Sequence, residues 1–357
     1  MTSLSRALPT PRIRIGGAAA YSPLALGLVL AFVLALGIGA VAIDPDQVAG
    51  ILAQRLLGVD LGIEFSRQQE LVLWNIRLPR ILLGGLAGSA LAVSGAALQG
   101  IFRNPLADPG IIGTSSGGAV GAVAIIMLGV SPLGATFTLP VAAFAGALVL
   151  TGLVYLLSRH AGRTEVVTLI LTGVALNAIA GAVIGLMNFY ATDAQLRSIV
   201  FWLLGSLGGG TWRVVLATAP FVIVGTALLM HTRRSLDLMI LGEREAFHLG
   251  VSTERLRLTV IALSALVSGA TVAAIGLVGF VGLMVPHLLR LLLGPDNRTL
   301  LPACVLAGAL LMILADLVAR TILSPLELPL GIVTALIGGP YFLWLLHHTR
   351  FAQGGWG

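Results

Sequence analysis

Apolar runs long enough to cross a bilayer recur along the whole chain, separated by short polar breaks rich in glycine and proline. A hydrocarbon core of about 30 Å needs about 20 apolar residues in a helix. Windows of that size fall at 21–43, 79–100, 110–130, 138–158, 167–190, 213–231, 258–275, 277–293, 302–323 and 329–347. The pattern predicts an all-α polytopic membrane protein of about ten transmembrane helices, with both termini on one side. The narrowest breaks, near Ile275 and across 324–328, read as helical hairpins. The first window follows Arg6, Arg12 and Arg14 as a signal peptide would, but it outruns an h-region of about 7–15 residues and reads as a retained span. Residues 1–20 are then a cytoplasmic tail, 21–350 a single transmembrane domain with a cytoplasmic loop at 232–257, and 351–357 a second tail.

Composition agrees. Of 357 residues, 57% are hydrophobic and 10% charged, with a mean hydropathy of +1.01, against about 45–50% apolar and 25% charged in soluble domains. The 45 glycines suit helices that approach through small faces, since lipid supplies no hydrophobic drive between them. All 21 basic residues are arginine, so a Walker A loop, which needs lysine, cannot be written. If ATP drives this chain, another subunit hydrolyses it. The net charge of +6 needs no nucleic acid, because the arginines sit in short loops where they set topology. Segments on the side of the N-terminus hold about twice as many arginines as the other side. The other side has Arg55, Arg67, Arg77, Arg80, Arg197, Arg213 and Arg320. That bias places both termini in the cytoplasm. Cys304 lies alone in an apolar run and reads as a small core residue.

Polar groups at membrane depth are costly and mark function until a partner is found. The run Gln99-Gly-Ile-Phe-Arg-Asn-Pro-Leu-Ala-Asp-Pro-Gly110, followed by Gly113-Thr-Ser-Ser-Gly-Gly118, breaks a helix with Pro105 and Pro109. It reads as a constriction on the inner side of a pathway in preference to a plain turn. Arg77, Arg80 and Arg320 stand at the outer mouth; the residues alone favour snorkelling to headgroups over docking of an acidic partner. Asp316 reads as the ion-pair partner of Arg320 one turn on, rather than as a proton relay. The stretch 44–74 is long enough for a short surface helix, and 232–257 reads either as an amphipathic helix facing a partner or as a solvated loop. The six histidines cluster toward the inner face, which gives no sign of a haem or metal ligated in the channel, and no hydrolase arrangement appears.

Several motifs then match a known family. Arg77-Leu-Pro-Arg80 through Leu98-Gln99, Arg103-Asn-Pro-Leu-Ala107, Trp202-Leu-Leu-Gly-Ser206, Gly279 through Arg290, Ala315 through Arg320 and Glu327 through Ala335 resemble the FecCD-type permeases of type II ABC importers for iron chelates, haem and cobalamin. The resemblance implies a homodimer in a bacterial inner membrane, two cytoplasmic ATPase subunits and a periplasmic substrate-binding protein. It implies no permanently bound cofactor, ATP being used by the partner subunit. Under it, Arg77, Arg80 and Arg320 fall on positions that dock the binding protein, and Asn104 and Leu106 on the cytoplasmic gate. Gly242, Glu243, Arg244, Glu245, Ala246, Phe247, Leu249 and Gly250 fall on the segment that couples to the ATPase.

The stretch Ala191-Thr-Asp-Ala-Gln-Leu-Arg197, running into Phe201-Trp202, looks closest to haem permeases, with ferric siderophore or cobalamin permeases as the alternative. Asn177, Met187, Asn188, Tyr190 and Arg197 would then line the pathway. An ion-coupled secondary transporter is the competing class. It calls for a charged or broken-helix site near the midplane, for which Asp316 is the one candidate.

Overall fold

A computed structural model describes residues 17–134, 136–160 and 163–352 of the chain. Arg6, Arg12 and Arg14, and most of the two expected tails, lie outside the described residues. In chain order the helices are α1 (Gly17–Gly37), α2 (Pro45–Leu57), α3 (Arg67–Val72), α4 (Leu78–Phe102), α5 (Thr114–Leu128), α6 (Thr138–Leu157), α7 (Val166–Tyr190), α8 (Asp193–Leu204) and α9 (Trp212–His231), then α10 (Arg233–Leu241), α11 (Glu243–His248), α12 (Thr253–Ile275), α13 (Val281–Leu293), α14 (Asn297–Thr321) and α15 (Leu330–Ala352). A π-helical turn, Leu73–Arg77, joins α3 to α4, and a two-residue ladder pairs β1 (Arg159–His160) with β2 (Arg163–Thr164) between α6 and α7.

Each apolar window falls on one helix. Among the described residues six helical runs are long and apolar enough to cross a membrane: Arg67–Phe102, Thr138–Leu157, Val166–Tyr190, Trp212–His231, Thr253–Ile275 and Asn297–Thr321. Shorter apolar helices occupy Tyr21–Gly37, Thr114–Leu128, Val281–Leu293 and Leu330–Leu345. Three helices are shorter than their windows because breakers intervene. α1 stops at Gly37; α5 starts only at Thr114, after the proline-bearing loop; α13 starts only at Val281, after a non-helical turn from Gly276 to Phe280.

α4 is the hub, with α14, α12, α9 and α13 packed around it. Its sequence Gly-Gly-Leu-Ala-Gly-Ser-Ala-Leu-Ala carries small residues on every side, so neighbours come close. A Cβ added to Gly88 would overlap the Gly308 carbonyl of α14, and one on Gly308 would overlap the Gly88 carbonyl. α1 lies along α14, with the Tyr21 hydroxyl donating to the Thr299 carbonyl at 3.2 Å. α5 and α6 pair tightly and join the hub through α12, and α7 packs on α5 and α6 at the rim.

Candidate functional site

Three polar centres lie on this frame, one at the end of the bundle where α4 begins and two where it ends. At the first, the arginines expected at the outer mouth come together, but inside the chain. The Arg80 guanidinium donates from Nε and Nη2 to the Asp316 carboxylate at 2.9–3.1 Å, and from Nη1 to both oxygens of Glu327 at 2.9 and 3.0 Å. Arg77 donates to the carbonyls of Leu36 at 2.6 Å, Gly37 at 2.8 Å and Val41. It thereby caps the open C-terminal carbonyls of α1. Arg320 donates to the Ala35 carbonyl and lies 3.7 Å from Asp316.

Gly39 covers this cluster, and a Cβ there would press on the Arg77 guanidinium at 2.5 Å. Arg77 and Arg80 are buried, whereas the Glu327 side chain is 48% exposed. None of the three arginines is a free cation on the surface. Charges at this depth are held by an acid or by unpaired carbonyls because desolvation makes any other arrangement costly. The ion pair foreseen for Asp316 exists, but Arg80, 236 positions away in sequence, is its nearer partner.

The second centre is the loop after α4. Arg103 takes a left-handed backbone (φ 50°) that ends the helix. The Asn104 side-chain oxygen accepts from the Leu106 amide at 2.9 Å, and Asp108 accepts from the Gly110 amide at 2.7 Å. These side chains replace backbone partners in the non-helical stretch. Neighbouring helices hold the loop: Gln99 Nε2 of α4 donates to the Ala107 carbonyl at 3.4 Å, and Asn177 of α7 donates to the Gly110 carbonyl at 3.0 Å. Leu106 remains 44% exposed at its tip. Asn177, foreseen as lining a pathway, therefore anchors this loop.

The remaining residues foreseen along the pathway lie toward the other end of α7 and on α8. Met187 and Asn188 are half-buried, Tyr190 is 71% exposed, and Arg197 is exposed on the second turn of α8. α8 itself is an addition to the ten windows. Its start is fixed by a reciprocal cap: Thr192 N–H donates to Gln195 Oε1 at 2.9 Å, and Gln195 N–H donates to Thr192 Oγ1 at 3.4 Å. The Thr-x-x-Gln spacing was a readable signal for it.

The third centre is the segment after α9, which is helical as the amphipathic reading required. α10 and α11 meet at Gly242, and Ala246 is fully buried beneath α11 while Phe247 and Leu249 stand exposed beside Arg244 and His248. A groove of about 950 Å³ runs between α11 and the start of α7. Glu243 points back into the chain, where its carboxylate lies 3.2 Å from the buried Arg257 of α12. Asp237 of α10 accepts from the Asn297 amide at 2.7 Å and from its side chain at 2.9 Å. Burial lifts the Asp237 carboxyl above its ordinary range against the pull of those two bonds, and neighbouring Asp296 adds to the rise.

A bundle of span-length apolar helices with a broken segment at one end defines a multi-pass membrane protein. The match to known proteins says which kind: residues 27–348 match the FecCD transport family, and the chain belongs to that family of ABC importer permeases. It is 44% identical over 283 residues to the hemin transport system permease protein HmuU of Yersinia pestis, covering 79% of this chain and 84% of that protein. It is 45% identical over 283 residues to the cobalamin import system permease protein BtuC of Halobacterium salinarum, covering 78% and 73%. A solved structure showing an inward-facing conformation of a metal-chelate type ABC transporter superposes with a TM-score of 0.81 at 36% identity, over 93% of this chain and 99% of that one. Family membership displaces the secondary-transporter reading.

Proposed function

We propose that two copies of this chain face one another across a pathway walled by α7 and α8. The pair moves haem from a periplasmic binding protein to the cytoplasm by alternating access, driven by two cytoplasmic ATPase subunits in a bacterial inner membrane. One observation carries the reading. α7 is a span-length apolar helix that buries only Leu169, Gly173 and Ala180, and a Cβ at Gly181 or Gly185 would meet open space. A small-residue face left empty on a membrane helix suits close approach of a second helix or passage of cargo.

Topology follows the arginine bias: ten crossings, both termini cytoplasmic, the α4–α5 loop and α10–α11 on the inner side. Asn104 and Leu106 then close the inner mouth. Arg244, Phe247 and Leu249 present the ATPase contact, since exposed apolar residues among charges mark a partner surface. Arg77, Arg80 and Arg320 form the docking end for the binding protein, whose acidic groups would meet Glu327 first and compete with it for Arg80.

Haem is favoured by the hemin permease relative and by exposed aromatic residues on α7 and α8: Phe189 and Tyr190 at the end of α7 and Phe201 on the last turn of α8 stand 80%, 71% and 63% exposed. Flat rings suit a planar macrocycle, and Arg197 beside them suits its carboxylates. The cobalamin permease relative supports a corrinoid as the second reading. Uptake into proteoliposomes holding the chain with its ATPase and binding protein decides between them. Saturable haem uptake that excess cobalamin or ferric chelate leaves unchanged supports haem. Uptake of cobalamin or ferric chelate without haem moves the substrate within the family.

A further inference from the structure

α11 has only six residues and hangs from α10 at Gly242, whose φ of +130° disfavours any side chain. It rests on the bundle through the buried Ala246 and runs on through Val251 into α12. Among the described residues, the side-chain polar link from α11 to the bundle is made to one guanidinium. Arg257 on α12 is 2% exposed, with Nη2 3.2 Å from the Glu243 carboxylate of α11 and Nη1 3.3 Å from Glu254 on its own helix. Nη1 also donates to the Thr164 backbone carbonyl at 2.6 Å, in the turn between α6 and α7. Glu254 closes the ring by accepting from the Thr164 hydroxyl at 2.6 Å, the Thr164 amide at 3.1 Å and the Tyr155 hydroxyl at 3.3 Å.

α10, by contrast, is fixed to a different part of the bundle. Asp237 holds Asn297 at the start of α14, and Asn297 in turn lies 3.4 Å from Arg290 of α13, which donates to the Ala96 carbonyl of α4 at 3.0 Å. One arm of the segment is tied to the hub and the other, across Gly242, to the base of α7.

We propose that Arg257 is the positioning residue through which movement of α11 reaches the α6–α7 turn, and so the helix that walls the pathway. The inference rests on the reading of α11 as the ATPase-coupling segment. A planar guanidinium holding three elements in fixed directions transmits displacement in a way that a flexible ammonium does not. It also takes Glu243 out of the set of ATPase contacts and makes it the near end of an internal link.

The test uses the reconstituted transporter with its ATPase and binding protein, and reads three quantities: ATPase bound per permease, ATP hydrolysed, and substrate taken up per ATP. For Arg257→Gln the ATPase stays bound and hydrolysis persists, while uptake per ATP falls about tenfold. Arg257→Lys recovers part of the loss, to within about threefold of wild type. Glu243→Gln alters an exposed side chain and keeps the fold; it lowers uptake per ATP about threefold without releasing the ATPase. Unchanged uptake per ATP in Glu243→Gln and in folded Arg257→Gln overturns the link, as does release of the ATPase by Glu243→Gln, which would make Glu243 a direct contact. Phe247→Asp separates the two claims. If it leaves ATPase binding intact, the coupling reading falls and takes this proposal with it; if it abolishes binding, the coupling reading stands and the Arg257 and Glu243 variants decide the link.

Discussion

α4 and α7 are both 25-residue apolar helices, and they lead opposite lives in the fold. α4 is buried on nearly every side, while α7 buries three residues and leaves Val167, Leu171, Val174, Ile179 and Leu186 exposed. Hydropathy does not separate them. What does is the kind of group each offers: α4 combines small residues all round with Arg80 and Gln99, polar groups that demand protein partners, whereas α7 has, at Gly181 and Gly185, small residues on a face that nothing among the described residues fills. In a membrane, where apolar burial supplies little drive, close approach and polar satisfaction select the hub.

The largest effect expected on that contrast comes from Asp316→Ala, which leaves Arg80 only the half-exposed Glu327 and Arg320 only the Ala35 carbonyl. Breaking one side of a buried pair costs about 3–5 kcal/mol, so thermal unfolding in detergent should show the variant poorly folded. Gly308→Leu, which drives a side chain into the Gly88 backbone, should cost about 1–3 kcal/mol or prevent folding, read the same way. Asn177→Leu, the polar link from α7 to the α4–α5 loop, should cost about 1 kcal/mol by leaving the Gly110 carbonyl short of a donor; limited proteolysis at Leu106 should then speed up. At the bottom of the scale, Gly181→Ala on α7 should shift stability by about 0.5 kcal/mol at most. A loss there as large as that of Gly308→Leu would mean that α7 is packed like α4 and would break the comparison.

Much of the fold was legible because span-length apolar runs and breakers are local signals. Each window found its helix, and Pro105 and Pro109 correctly marked the stretch that delays α5 to Thr114. α8 was missed although Thr192 and Gln195 announced it, since the window for a span is blind to a 12-residue helix. The sites were harder. The motif Arg77-Leu-Pro-Arg80 located the charge cluster, yet nothing in it disclosed that Glu327, in another motif, would cover Arg80. Pairing across 247 positions is set by how α4 and the α14–α15 loop meet, and no periodicity records that. Glu243 and Arg257 were both visible as charges in one loop. That their side chains meet depends on the turn at Gly242.

ATP-driven uptake of haem by the reconstituted transporter, with wild type beside Gly185→Trp, tests the account most directly. The account predicts haem accumulation that needs both ATPase and binding protein, and its loss in Gly185→Trp while the ATPase stays bound and the permease melts as wild type does. Haem uptake by Gly185→Trp at the wild-type rate would remove α7 from the pathway, and failure of the chain to assemble with any ATPase would contradict the importer itself.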